Sequence, residues 1–291
     1  MNRPHRGGTT TTRAPAAALA PPAGQTVHVA RRRAGWRRAA LPLGAALALL
    51  LVWEAGVRVF DVPAFVLPAP SQVAEAAVRT APLLPAHVST TLTEAALGLA
   101  LGTAVGTLLT LAVVLLPRLG EALEPLIVLT QTVPTIVLAP LLILWTGFGL
   151  LPKVLIVALT VFFPVFVSAT SAMRAADRDL LDAVAGLGGT RADQLLLVRL
   201  PGAITGVLAG LRIAATYTIG AAVVAEYLAG QSGLGVFIQR SRKAYAVDQI
   251  LVGVLAVALL TGALVALVAL VTRLATPWRA ASPLPAPEGT P

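Results

Sequence analysis

Few residues in this 291-residue sequence could carry out covalent chemistry. Cysteine is absent, which removes disulfides, thiolate metal ligands and cysteine nucleophiles together and leaves the redox compartment open. The three histidines, His5, His28 and His87, are too scattered to suggest a metal cluster. No Ser/His/Asp set, His-x-x-x-His pair or carboxylate pair falls within the apolar stretches, which argues against a membrane enzyme. The two lysines, Lys153 and Lys243, sit in no Gly-rich loop, so no phosphate-cradling Walker motif exists and any ATP hydrolysis has to come from another chain. What remains is a set of polar side chains in otherwise apolar helices: Gln131, Thr132, Tyr217 and Glu226. Such groups face a bundle interior by default, so these four are the candidate contacts for a solute. Glu226, near the end of its stretch, reads either as a structural hydrogen-bonding group or as part of a pathway or gate.

The elements that must hold these residues are long and greasy. Hydrophobic residues make up 57% of the chain and charged ones 12%, with a mean hydropathy of +0.83. A soluble domain carries roughly a quarter charged residues, so much of this surface has to face hydrocarbon. Six apolar stretches of spanning length lie near Ala39–Val57, Val88–Leu116, Leu123–Trp145, Leu150–Met173, Gly202–Leu228 and Gln249–Val271. The expected fold class is an all-α integral membrane protein of about six transmembrane helices in a domain spanning 39–279. Thr/Ala/Pro/Arg-rich residues 1–38 and Pro-rich residues 280–291 read as disordered tails. The first stretch follows five arginines and could be mistaken for a cleaved leader, but Glu54 and Arg58 stand where small residues would be wanted.

The net charge of +9 does not point to nucleic acid, because eight of the 22 basic residues precede the first apolar run with a single aromatic ring, Trp36, among them. They read instead as topogenic charge. With the N-terminus inside, cytoplasmic segments hold fifteen basic residues and external ones six, Lys153 counted among the latter; Arg212 lies within a span. The positive-inside rule therefore places both termini in the cytoplasm, with Arg240–Lys243 on the outside as a blemish. Gly98, Gly102 and Gly106, and again Gly202, Gly206 and Gly210, recur at a spacing of four and predict close backbone packing on one helix face. Pro134, Pro140 and Pro164 predict kinks.

One polar stretch between spans four and five is long enough to form its own element. From Asp177 to Ala185 it has helical character, with Leu180, Leu181 and Val184 on one side; Gly188-Gly189 breaks it, and Thr190 with Asp193 can cap a second helix running to Pro201. Such a knob can sit in a groove of another protein and pass on a rigid-body push. Asp182-Ala183-Val184, Gly188, Val198 and Leu200-Pro201 keep all the spacings of a motif of ABC-importer permeases, with Asp for Glu, Val for Ala and Val for Ile as departures. The chain resembles that family from about residue 63 to 279. Leu67–Ser71, Ala139-Pro140-Leu141, Trp145–Gly149, Phe162-Phe163-Pro164, Gly210-Leu211-Arg212, Ala225-Glu226 and Gly233-Leu234-Gly235 look like its nitrate/sulfonate/taurine group. Thr91–Glu94, Ala214–Tyr217, residues 220–224 and Pro277-Trp278 look closest to the hydroxymethylpyrimidine and riboflavin branch.

The resemblance implies a transport subunit that is not itself an enzyme and holds no cofactor, with ATP bound by a partner ATPase. It implies a coupling helix that docks on that ATPase through Leu180, Leu181, Asp182, Ala183, Val184, Gly188, Leu200 and Pro201. It also implies an external solute-binding protein, a homodimer in the lipid bilayer of the cell membrane, and a small solute of the pyrimidine or thiamine-precursor kind. A sulfonate, taurine or nitrate importer is the alternative, and a secondary transporter or channel the more distant one, although no internal repeat is visible.

Overall fold

The structure is a computed structural model that describes residues 25–277, with side chains from Leu41 onward. The expectations for residues 1–24 and 280–291, for Trp278 and Arg279, and for the side chains of Arg31–Arg38 lie outside the described residues. All regular structure among the described residues is helical. Two units can be distinguished, Met1–Ala55 and Gly56–Pro291. Helix α1 (Gln25–Val59) begins upstream of the expected Ala39 and carries the apolar segment Leu41–Val59.

The second unit is built around one central helix. α6 (Leu150–Arg174) lies between α3 (Leu84–Leu115) and α9 (Leu200–Ala229). The glycine ladders explain how. A Cβ on Gly102 would meet the Ala158 carbonyl at 2.8 Å and Val161 at 2.9 Å. A Cβ on Gly206 would meet Ala172 at 2.6 Å and the Ser168 carbonyl at 2.7 Å. Each ladder therefore presses backbone against α6, as small residues do between membrane helices, and the two converge at Val165. Ala95, Val157, Val161, Val165, Ala214, Ile219 and Ala222 fill the buried core that the three helices share.

The remaining helices lean on this plate. α11 (Val247–Ala275) packs on α9, and α2 (Pro70–Thr80) packs on α11 through Val73, Ala76 and Val252. The amphipathic α10 (Leu234–Lys243) buries Leu234, Val236 and Phe237. The expected third span is not one helix. It is divided into α4 (Pro117–Thr130) and α5 (Thr135–Thr146), bent by 97° at residues 131–134. Pro134 supplies the reason, since it lacks an N–H and excludes the preceding residue from helical angles. The result is five continuous apolar helices of spanning length and a sixth, broken span.

Candidate functional site

Two polar features stand out on this scaffold. The first is the connection from α6 to α9. Asp177 caps α7 (Arg178–Gly186), its carboxylate accepting from the Asp179 N–H at 2.9 Å. Gly188 leaves the helix at φ +84°, a conformation that costs glycine nothing. Thr190 then caps α8 (Arg191–Gln194) in the reciprocal box expected: the Asp193 N–H donates to Thr190 Oγ1 at 3.3 Å, and the Thr190 N–H donates to the Asp193 carboxylate at 2.7 Å. The Gln194 amide donates to the Leu181 carbonyl at 3.1 Å and ties the two short helices together. A single wide π-turn (Leu195–Arg199) leads into α9.

No side chain of α7 or α8 is buried. Leu180 is 55% exposed, and Asp182 and Ala183 are exposed beside it. Leu181 and Val184 are half-buried against their own chain, so the apolar side expected to face outward is divided. Leu187, which sequence reasoning missed, is 90% exposed at the tip of the turn. Its only signal is a leucine stranded between a helix end and a Gly-Gly pair. Gly188 and Pro201 are exposed and Leu200 is half-buried at the foot of α9.

The second feature is a buried polar cluster where α3, α6, α9 and α10 meet. Lys153 Nζ donates to Glu94 Oε1 at 2.5 Å, both side chains being almost fully enclosed. The other Glu94 oxygen finds no hydrogen-bond partner among the described residues. Glu226 accepts from Thr91 Oγ1 and from the Gly235 N–H, both at 2.6 Å. Thr91 Oγ1 in turn accepts from the Leu234 N–H at 3.0 Å, and His87 Nδ1 accepts from the Gly233 N–H at 3.1 Å. Gly233, at φ +113°, lies so flat on the Glu226 carboxylate that any Cβ would overlap it. A carboxylate sealed this way can hold two helices and a loop in register; it is not open to a solute.

The four candidate solute contacts are thus dispersed. Gln131 and Thr132 stand exposed together at the α4–α5 break, Thr132 Oγ1 donating to the Leu129 carbonyl at 2.8 Å. Tyr217 is 58% exposed on α9, and Glu226 is fully buried. No hydrogen bond among the described residues links the break to Tyr217 or Glu226. Lys153 is a correction: it is not an external residue but a buried partner of Glu94, so Arg212 is not the sole cation within a span. The missed signal was one lone acid and one lone base in two separate apolar helices, which rarely stay unpaired.

The profile of the family described as binding-protein-dependent transport system inner membrane component matches residues 98–280. The chain belongs to this family. Among similar proteins, the riboflavin transport system permease RibX of Chloroflexus aurantiacus is 34% identical to the permease, over 86% of this chain and 93% of its own. The formylaminopyrimidine transport permease ThiX of Halalkalibacterium halodurans is 32% identical over 67% and 78%. The taurine transport system permease TauC of Escherichia coli is 30% identical over 87% and 96%. A solved structure of an amino acid ABC transporter shares the fold at a TM-score of 0.58 and 18% identity, covering 67% of the permease and 95% of that chain. The permease is therefore the membrane subunit of an ATP-binding-cassette importer for a small solute, a multi-pass inner-membrane protein. ATP hydrolysis belongs to a separate subunit, and that ATPase and a binding protein are its partners.

Proposed function

We propose that the permease works as a homodimer, with the solute passing between two copies along the α4–α5 break. The observation that carries this is the break itself. Residues 131–134 are non-helical and exposed on the single chain. Irregular backbone at membrane depth is tolerated only when covered by protein or lining a water-filled path. A second copy facing the same element meets both conditions, and it puts Gln131 and Thr132 beside the solute. Tyr217, exposed on α9, is the next polar group available to it.

In this reading both termini are cytoplasmic, and α7, with Leu180, Asp182, Ala183 and Leu187 outward, is the coupling helix that enters the ATPase groove. Leu181, Val184, Gly188, Leu200 and Pro201 hold it in place. The solute is a small neutral heterocycle of the pyrimidine or riboflavin kind. The relatives RibX and ThiX support it; of the cations within spans Lys153 is taken up by Glu94, which leaves Arg212, exposed on α9, as the group an anionic solute would need. The likeness to TauC makes taurine the rival.

A chain without cysteine allows a direct test of assembly and sidedness. A single cysteine replacing Val133 is expected to cross-link two copies in the membrane. One replacing Thr190 should react with impermeant reagent only from the cytoplasmic side, and one replacing the exposed Gln231 only from outside. Cross-linking absent at 133, or external labelling at 190, overturns the arrangement. For the solute, a permease deletion strain should lose uptake of labelled pyrimidine precursor and keep taurine uptake; loss of taurine uptake alone overturns the choice.

A further inference from the structure

Beside the coupling segment lies a hollow of about 420 Å³ between the end of α3 and the α8–α9 connection, with Val114, Leu115, Pro117 and Leu195 among its lining. Arg191 and Arg199 also line it, and no acidic residue does. Neither guanidinium makes a hydrogen bond or ion pair among the described residues, whereas Arg79, Arg174 and Lys153 all have carboxylate partners. The π-turn at Leu195–Arg199 explains why two residues eight apart share one wall. Two turns of α-helix take about seven residues, and one turn widened by a residue takes the pair to about eight. Arg199 thereby returns to the face that carries Arg191.

The depth of the hollow narrows what can fill it. Arg191–Ala229 is a continuous helical stretch of 39 residues. At about 1.5 Å each it is about 58 Å long, against about 40–45 Å for a bilayer with its headgroups. The surplus of about 13–18 Å corresponds to the turns that carry Arg191 and Arg199, about 12 Å apart along the axis, which puts this end of the helix at the membrane margin. The run between the two arginines is apolar, with Leu196 (57% exposed) and Leu197 (67% exposed) turned outward, and Leu115 (49% exposed) lines the hollow beside them. Cations interleaved with exposed leucines match a headgroup phosphate beside acyl chains, and basic pockets between helices on the cytoplasmic side suit anionic headgroups.

We propose that Arg191 and Arg199 form a binding site for the headgroup phosphate of an anionic phospholipid of the inner leaflet, beside the coupling helix. The leaflet rests on the orientation given under the proposed function. The test is native mass spectrometry of the detergent-purified complex of permease and ATPase, incubated with phosphatidylglycerol or phosphatidylcholine. One phosphatidylglycerol per permease chain is expected to be retained in preference to phosphatidylcholine. Arg191→Gln/Arg199→Gln should cut that retention about tenfold, as befits two lost charge-assisted contacts, with Arg199→Gln alone intermediate as the milder variant. Equal retention of both lipids, or unchanged retention in the double variant, overturns the site. So does displacement by inorganic phosphate, which would make it a soluble-anion site. Loss of the ATPase with lipid still bound would assign the arginines to the ATPase interface instead. The reading is taken on the purified complex and requires neither transport nor sidedness, so its failure would leave the proposed function standing.

Discussion

Gly188→Val is expected to abolish transport while the permease still inserts in the membrane. No atom lies within 4 Å of where a Cβ on Gly188 would stand, so crowding is not the cause. The cost is in the backbone: at φ +84° a β-branched residue is strained by about 1–3 kcal/mol. The turn has little to resist with, since only the Gln194–Leu181 hydrogen bond and local backbone bonds hold α7 to α8. Relaxation then moves Leu187 and the face of α7 away from the ATPase. Gly188→Asn should retain most activity, because asparagine tolerates the left-handed region. Asp182→Ala should weaken coupling mildly, an exposed ion pair being worth about 0–1 kcal/mol. ATPase copurification and uptake measured on the three variants decide the matter. Wild-type values in Gly188→Val would overturn this view of the turn, and equal failure of Gly188→Asn would point to contact with the partner instead of backbone strain.

Lys153→Met is expected to have the largest effect on stability. Lys153 is 6% exposed and Glu94 1%, and the two groups neutralise each other inside the bundle. Removing one partner of a buried pair leaves a stranded charge and costs about 3–5 kcal/mol. Replacing both with uncharged groups of similar volume strands nothing, so Glu94→Gln/Lys153→Met should recover most of the loss. Apparent melting temperatures of the detergent-purified permease, compared across the single and double variants, measure this. A Lys153→Met permease as stable as the parent would show that Glu94 does not depend on the ammonium.

What could be read from the sequence divides by the range of the interaction that decides it. The capping pair Thr190/Asp193 and the break at Gly188 are decided within a few residues, and the structure has both as expected. Apolar runs placed the five continuous spans to within a few residues because bilayer thickness sets their length. Pro134 foretold a kink but not a bend of 97°, which depends on what α5 packs against, namely Ile156 and Ala225 through Ala139. The glycine ladders were legible as packing faces, but not that both address α6. Lys153 was misplaced for the same reason. Near the start of a span its charge fits an external position, and only the pairing of α3 with α6 brings Glu94 to it. Glu226 sat on the page as a lone polar residue; its partners Thr91, Gly233 and Gly235 come from two other segments, which no local pattern joins.

The glycine contacts along α6 have a mechanical consequence. Where side chains separate two helices, the helices can slip by exchanging rotamers. Between α3, α6 and α9 backbone meets backbone, and slippage would drive carbonyls into Cα atoms. The three helices therefore behave as one stiff lever. α7 hangs from the end of α6 and α8 feeds directly into α9, so a thrust on the turn reaches both helices at once and arrives undamped at the far end, where Glu226 ties α9 to α3. α5 joins α6 through the three-residue link 147–149 and is buried on it through Ala139 and Ile156, so the broken span receives the same thrust.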